Sequence, residues 1–330
     1  MSATPAEASS PSPRASNQPP DDAIAFEHVT RRFGEHAAVD DVSLTVGRGE
    51  LFGLVGPSGC GKTTLIRLIA GLLESSEGDA FVGGTEPTAF SARERQDLGY
   101  MPQEFSLFPS LSIQQNCGFV AGLYGMGWFH RRRRIREVLT FLDLWDARKR
   151  AAGRASGGMR RRLSLACALL HEPRLMLVDE PTAGLDPELR VRIWEHLREI
   201  QARGTTVIVT TQLIEEAERC DSVGIMRAGQ MIAHGAPETL RASAGLAEIV
   251  EIEAEELDRS DVAAIWSLPS VRNARLVSST RLRVEVEDAE AVLADVAGKL
   301  HDRGRVVHRV DTHEASFEDV FLELVEASRR

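Results

Sequence analysis

No stretch of this 330-residue chain approaches the roughly 18 consecutive apolar residues that a membrane-crossing helix needs. The first residues also lack the apolar core of a signal peptide. The sequence therefore predicts a chain made and kept in the cytosol, with any membrane link supplied by a partner. Cysteine is scarce: Cys60, Cys117, Cys167 and Cys220 lie far apart, with no C-x-x-C spacing. They predict reduced thiols and exclude a disulfide frame or a paired-cysteine zinc site. A surplus of positive charge is missing too. The formal net charge of −10 argues against a dedicated nucleic-acid binder, and no nucleic acid is expected as a partner. There is no long-period repeat and no sustained heptad pattern, which excludes solenoids and long coiled coils.

What is present is the segment Gly56-Pro57-Ser58-Gly59-Cys60-Gly61-Lys62-Thr63-Thr64, which fits G-x-x-x-x-G-K-[ST]. Glu50 to Val55, just before it, is almost wholly apolar, as expected of a strand buried on both faces of a parallel sheet. From Thr63 to Leu73, Leu65, Ile66, Leu68, Ile69, Leu72 and Leu73 fall at helical spacing. The glycines allow positive φ and close backbone approach, so successive N–H groups can point into one concavity. The following helix adds its unpaired N-terminal donors and the positive end of its dipole. This strand, loop and helix predict an ATP site. In it Lys62 reaches the β- and γ-phosphates and the Thr63 hydroxyl ligates Mg²⁺. A plain glycine-rich turn would account for the loop but not for both flanks.

Residues 1–22 are rich in Ser, Pro and Ala and hold almost no large apolar side chain, so a disordered tail is expected there. From residue 23 to about 240 strands and helices alternate, which predicts an α/β domain with a mixed sheet covered on both faces. Ordered structure is expected to start at Ile24–Val29, with further buried strands at Arg174–Val178, Thr205–Thr210 and Val223–Met226. The stretch 91–172 reads as a helical subdomain inserted in that sheet. Residues 246–330 read as a small α+β domain in the order β-α-β-β-α-β, the split ferredoxin-like arrangement, followed by a helix over Ser316–Ala327. Phe317, Val320, Phe321 and Leu324 mark that helix at i, i+3, i+4, i+7. A docking or regulatory module and a packing appendage both suit this region.

Asp179-Glu180 closes the apolar strand Arg174–Val178, at the edge where α/β sheets place ligands. Asp179 is placed to hold Mg²⁺. Glu180 is the candidate general base for water, a role that contributes ~10²–10⁴ in rate. Ser156 can cap a helix starting near Met159, and Gly157 and Gly158 leave its first N–H groups uncovered, a ready anion site. Asp186-Pro187 is a good cap and first residue for a helix over Glu188–Arg203, with Gly204 as its stop.

The run Leu175-Met176-Leu177-Val178-Asp179-Glu180-Pro181-Thr182-Ala183-Gly184-Leu185-Asp186-Pro187 resembles the second nucleotide motif of ATP-binding cassette (ABC) transporter ATPases. The resemblance covers about residues 24–240 and brings further expectations. Phe33 resembles the aromatic that stacks on adenine. Gln103 resembles the glutamine that contacts Mg²⁺ and water. Ser156-Gly157-Gly158 resembles the signature that binds the γ-phosphate of ATP held by the facing subunit. Two departures stand out: Ala155 and Met159 replace the usual leucine and glutamine around that signature, and Gln212 occupies the switch position where most members have histidine. Gln212 can donate to a γ-phosphate but cannot become a cation. A loss of about 1–2 kcal/mol in the barrier slows turnover roughly 5- to 30-fold, so a slow but working ATPase is expected.

Both departures, and the segment Ser316-Phe317-Glu318-Asp319-Val320-Phe321-Leu322-Glu323-Leu324, resemble the bacterial drug-exporter branch of the daunorubicin-resistance, ABC-2 type. That resemblance implies a motor subunit that pairs with a second ATPase subunit, most simply another copy of itself. It implies a separate ABC-2 permease and a place on the inner face of the membrane through that permease. A non-transport ABC ATPase and a weakly catalytic regulatory subunit are the alternatives. Arg131–Arg134, Arg136, Arg148, Lys149 and Arg150 form a basic region in the helical arm, read as a solvated surface against contact with a membrane partner or anionic headgroups.

Overall fold

The computed structural model describes residues 22–104, 107–244, 248–286, 288–314 and 316–327. Apart from Asp22, the tail expected over residues 1–22 lies outside them.

The long apolar runs of the sequence become the middle of a six-stranded sheet. Its order is Leu98–Met101, Leu175–Asp179, Thr206–Thr211, Leu51–Val55, Ser222–Arg227, Gln230–Gly235. The first five strands are parallel and the last runs antiparallel, so the sheet is mixed as expected. Every residue of Leu51–Val55, Leu175–Asp179 and Thr206–Thr211 is buried, because both faces are covered. The register pairs Val55 with Thr211 and Asp179 with Thr210. The loops that follow these three strands therefore leave the sheet side by side.

One face is covered through a smaller antiparallel sheet of His36–Gly47, Asp22–Phe33 and Glu77–Val82. The helix Lys62–Ile69 lies in the shared core. Its Leu65, Ile66, Leu68 and Ile69 join Phe26, Leu44 and Val46 of the antiparallel sheet and Phe52, Leu54 and Ile208 of the central one. The start of that helix is thereby fixed relative to the strand ends.

The other face carries the helix Pro187–Ala202 and the arm helices Ile113–Leu123, Trp128–Phe141 and Gly157–Leu169, in one core with Met176, Val178 and Val209. The stretch expected to be helical, 91–172, also contains the sheet's edge strand Leu98–Met101. Four residues are too few to display a period, and pairing to Leu175–Asp179 makes them a strand.

The later elements run Glu248–Ala254, Arg259–Trp266, Val271–Ser278, Arg281–Val286, Ala289–Asp302 and Val307–Glu314, in the expected β-α-β-β-α-β order. The four strands form an antiparallel sheet ordered Val271–Ser278, Arg281–Val286, Glu248–Ala254, Val307–Glu314, the split arrangement, with a core of its own. The closing helix Phe317–Ala327 does something different. Its Phe317 and Val320 are buried in the core shared by the arm helices and the central sheet, with Ala217 and Leu240. Phe317 N–H donates to Glu218 Oε1 at 3.1 Å, and Arg227 Nη1 donates to the Val325 carbonyl at 3.1 Å. Asp319 on the same helix is paired with Arg283 of the accessory sheet at 2.5 Å.

Candidate active site

The glycine loop is shaped by close approach. A Cβ on Gly56 would lie 2.3 Å from the Met226 carbonyl oxygen, and one on Gly61 2.2 Å from that of Ala38. Gly61 also has φ of 112°, open to glycine at no steric cost. It is the cap residue of the Lys62–Ile69 helix and has no side chain to occupy the first-turn N–H groups, which stay available to an anion. Pro57, Ser58 and Gly59 form the exposed rim; Thr63 and Thr64 are half-buried. Cys60 is buried behind the loop, and burial pushes its thiol up, so it fills space while its backbone belongs to the cradle. Lys62 is buried, and its Nζ donates to the loop's own Gly56 carbonyl at 2.7 Å and Pro57 carbonyl at 3.1 Å.

Across from the loop, Asp179 ends its strand with its side chain fully buried. Its Oδ1 accepts from Thr210 Oγ1 at 2.5 Å; its Oδ2 is buried and has no hydrogen-bond partner. A buried carboxylate oxygen without a donor is costly unless something positive meets it. Glu180 follows with φ of 48°, unusual for a residue with a Cβ. It is held there by its N–H, which donates to Thr210 Oγ1 at 2.9 Å and to the Thr210 carbonyl at 3.1 Å. Its carboxylate is the meeting point of the site. Oε2 accepts from Gln103 Nε2 at 2.8 Å, Oε1 accepts from Gln212 Nε2 at 2.7 Å, and Lys62 Nζ stands 3.8 Å from Oε1.

The structure thus brings Lys62, Gln103, Asp179, Glu180 and Gln212 together. It adds three residues that the sequence reading passed over. Thr210 joins the two acids through one hydroxyl. Glu216, also buried, accepts from Thr182 Oγ1 at 2.9 Å and from Thr211 Oγ1 at 2.6 Å, tying the loop after Glu180 to the segment that carries Gln212. Arg161, on the helix after Ser156, donates to the Gln103 carbonyl. Burial lowers its guanidinium's affinity for the proton, and negative Glu180 and Asp179 work against that. Polar residues that contact only one another across loops leave no spacing signal in a sequence.

Ser156 caps its helix as expected, its Oγ accepting from Met159 N–H at 3.2 Å. Gly158 packs against the next helix, where a Cβ would lie 2.5 Å from Leu189 Cδ1. Ala155 is buried, and the Met159 sulfur accepts from Arg150 Nη1 at 3.5 Å, so the two departures alter packing around an unchanged cap. Among the described residues no hydrogen bond or ion pair joins Ser156-Gly157-Gly158 to the Gly56–Thr64 loop of the same chain. Gly157 instead borders a cleft of about 330 Å³ with Gln103, Arg161, Ala183 and Gly184. Phe33 sits at the tip of the hairpin whose Ala38 lies against Gly61. Its ring is 48 % exposed, with the Arg31 guanidinium 4.8 Å over one face.

An anion cradle facing a buried, half-satisfied aspartate calls for a ligand that brings phosphate and a cation together, which makes this a phosphate-loop nucleoside-triphosphatase fold and site. Comparison with known proteins narrows the class. The family model described as ABC transporter matches residues 39–183. The chain is 40 % identical over 224 residues to the probable multidrug ABC transporter ATP-binding protein YbhF of Escherichia coli (strain K12), covering 68 % of this chain and 39 % of that protein's length. It is 35 % identical to the daunorubicin resistance ATP-binding protein DrrA2 of Streptomyces coeruleorubidus, covering 92 % of this chain and 94 % of the relative. The solved dimeric cassette MJ0796, in a post-hydrolysis state bound to ADP and Pi, superposes with a TM-score of 0.59 at 27 % identity, covering 64 % of this chain and 98 % of that one. The chain belongs to the ATP-binding proteins of ABC transporters, and its likeness over nearly its whole length is to the drug-exporter type. No helix among the described residues is long and apolar enough to cross a membrane.

Proposed function

We propose that this chain is the ATP-hydrolysing motor subunit of an exporter. Two copies close on two ATP molecules, each held between the Gly56–Thr64 loop of one copy and the Ser156 helix tip of the other. Closure drives a separate ABC-2 permease, against which the chain sits on the inner face of the membrane. The observation that carries this reading is the Glu180 carboxylate, held by Gln103 on one oxygen and Gln212 on the other, with Lys62 3.8 Å away. That the Ser156 tip has no partner in its own chain's loop agrees with a site completed by a second copy.

On ATP binding, Lys62 exchanges its bonds to the Gly56 and Pro57 carbonyls for the β- and γ-phosphates. The backbone N–H groups from Gly59 to Thr64 line the phosphate chain, and Phe33 offers its open ring face to adenine. Thr63, Gln103 and the unpartnered Oδ2 of Asp179 would hold Mg²⁺, which when bound neutralises charge on the β- and γ-oxygens. Glu180 orients a water and takes its proton as the water oxygen bonds to the γ-phosphorus and the bond to ADP breaks. Gln212 and Gln103 keep that carboxylate aimed.

The test is Glu180→Gln, which keeps shape and removes the base. Turnover is expected to fall ~10²–10⁴-fold while ATP binding persists and the ATP-loaded pair accumulates. Parent-like turnover in this variant, or no turnover in the paired parent protein, overturns the reading.

A further inference from the structure

Between Glu104 and Glu137 the chain runs 32 residues without an aspartate or glutamate, in a protein whose formal net charge is −10. Five arginines, Arg131–Arg134 and Arg136, close that stretch. They lie on the arm helix Trp128–Phe141, whose inner face, Ile135, Val138 and Leu139, is buried in the core. Its first two residues face outward: Trp128 is 57 % exposed and Phe129 83 %, their rings touching edge to face at 4.8 Å. Leu123, at the end of the preceding helix, is 71 % exposed. Arg132 lies 5.8 Å from the Trp128 ring, and among the described residues neither it nor Arg131 enters an ion pair. Large side chains exposed together mark a contact surface. None of these residues serves the nucleotide site.

The chemistry of the patch selects its occupant. Arg133 is exposed and shares Glu137 at 3.5 Å, a solvent-screened pair that leaves the cluster strongly positive. Tryptophan and phenylalanine next to such a surplus of guanidinium groups suit a layer with apolar depth and negative charge at its rim, which is the headgroup region of an anionic bilayer. We infer that this end of the arm rests directly on an anionic lipid surface. Trp128 and Phe129 enter the interface, and Arg131, Arg132 and Arg133 lie over lipid phosphates.

The experiment uses the full chain with vesicles of phosphatidylcholine alone or with added phosphatidylglycerol, in co-sedimentation. Binding is expected to the anionic vesicles and to weaken with salt. The double change Arg132→Gln with Arg133→Gln lowers partitioning roughly 30-fold. Trp128→Ser with Phe129→Ser also abolishes most of it, and Trp128 fluorescence in the parent is quenched by brominated acyl chains. Unchanged ATP turnover in both variants shows that they fold. Equal binding to neutral vesicles, parent-like binding by both variants, or a loss confined to recovery of the permease overturns the inference, the last in favour of a protein contact. Vesicle binding needs neither nucleotide nor permease, so its failure leaves the proposed motor function standing.

Discussion

Gln212→Ala removes the hydrogen bond that the carboxamide donates to Glu180 Oε1 at 2.7 Å. That oxygen is then left with Lys62 Nζ at 3.8 Å, beyond hydrogen-bond length, while Gln103 still holds Oε2 at 2.8 Å. A bond to an ionised acceptor is worth about 1.5–3 kcal/mol. Glu180 is 6 % exposed but Gln212 lies at the surface, so water takes up part of the loss and this range is a ceiling. If the whole loss enters the barrier, turnover falls about 10- to 150-fold. Gln212→Glu should be worse than alanine, because a second carboxylate set against the buried Glu180 repels it, less strongly than inside a core because position 212 lies at the surface. Steady-state ATP turnover, with nucleotide affinity measured separately on the same variants, decides the matter. An alanine variant within about twofold of the parent, or a glutamate variant more active than alanine, refutes the idea that Gln212 aims the base.

Glu216→Ala takes the acceptor from the Thr182 and Thr211 hydroxyls, though Thr211 Oγ1 still accepts from Leu213 N–H at 3.0 Å, and should lower stability by about 1–3 kcal/mol in thermal or urea unfolding, with Thr182→Val costing less than that. Acid should loosen the closing helix. Burial pushes the Asp319 carboxyl up, but hydrogen bonds from Ser316 and Arg283 outweigh it and hold the group below the usual aspartate range. Its contribution is therefore full above the unfolded value of about 3.9 and is lost as pH falls through the lower folded value. Asp319→Asn should be less stable than the parent at neutral pH and show a smaller further loss on acidification below pH 4, followed by circular dichroism.

The parts legible in the sequence were those that local chemistry determines. The glycine loop, the caps at Ser156 and Asp186 and the apolar runs ending at Val55 and Asp179 each carry their cause within a few residues. The accessory β-α-β-β-α-β order was legible for the same reason. The antiparallel sheet was harder. His36–Gly47 puts Asp40 and Asp41 in mid-strand, and Glu77–Val82 opens with Glu77 and Gly78, so neither resembles a buried strand; pairing to Asp22–Phe33 makes both. Thr210 and Thr211 read as ordinary β-branched strand residues, because only the register against Asp179 and Val55 turns their hydroxyls to use.

Phe317 and Val320 complete a core whose other members all precede residue 241. The ribosome delivers them only after the whole accessory sheet has been made, a lag of several seconds at about 5–20 residues per second. Throughout that lag the seat beside Ala217 and Leu240 stands open on a nascent chain. The order of synthesis thus gives the accessory sheet time to collapse before the last helix exists to be carried back to its place.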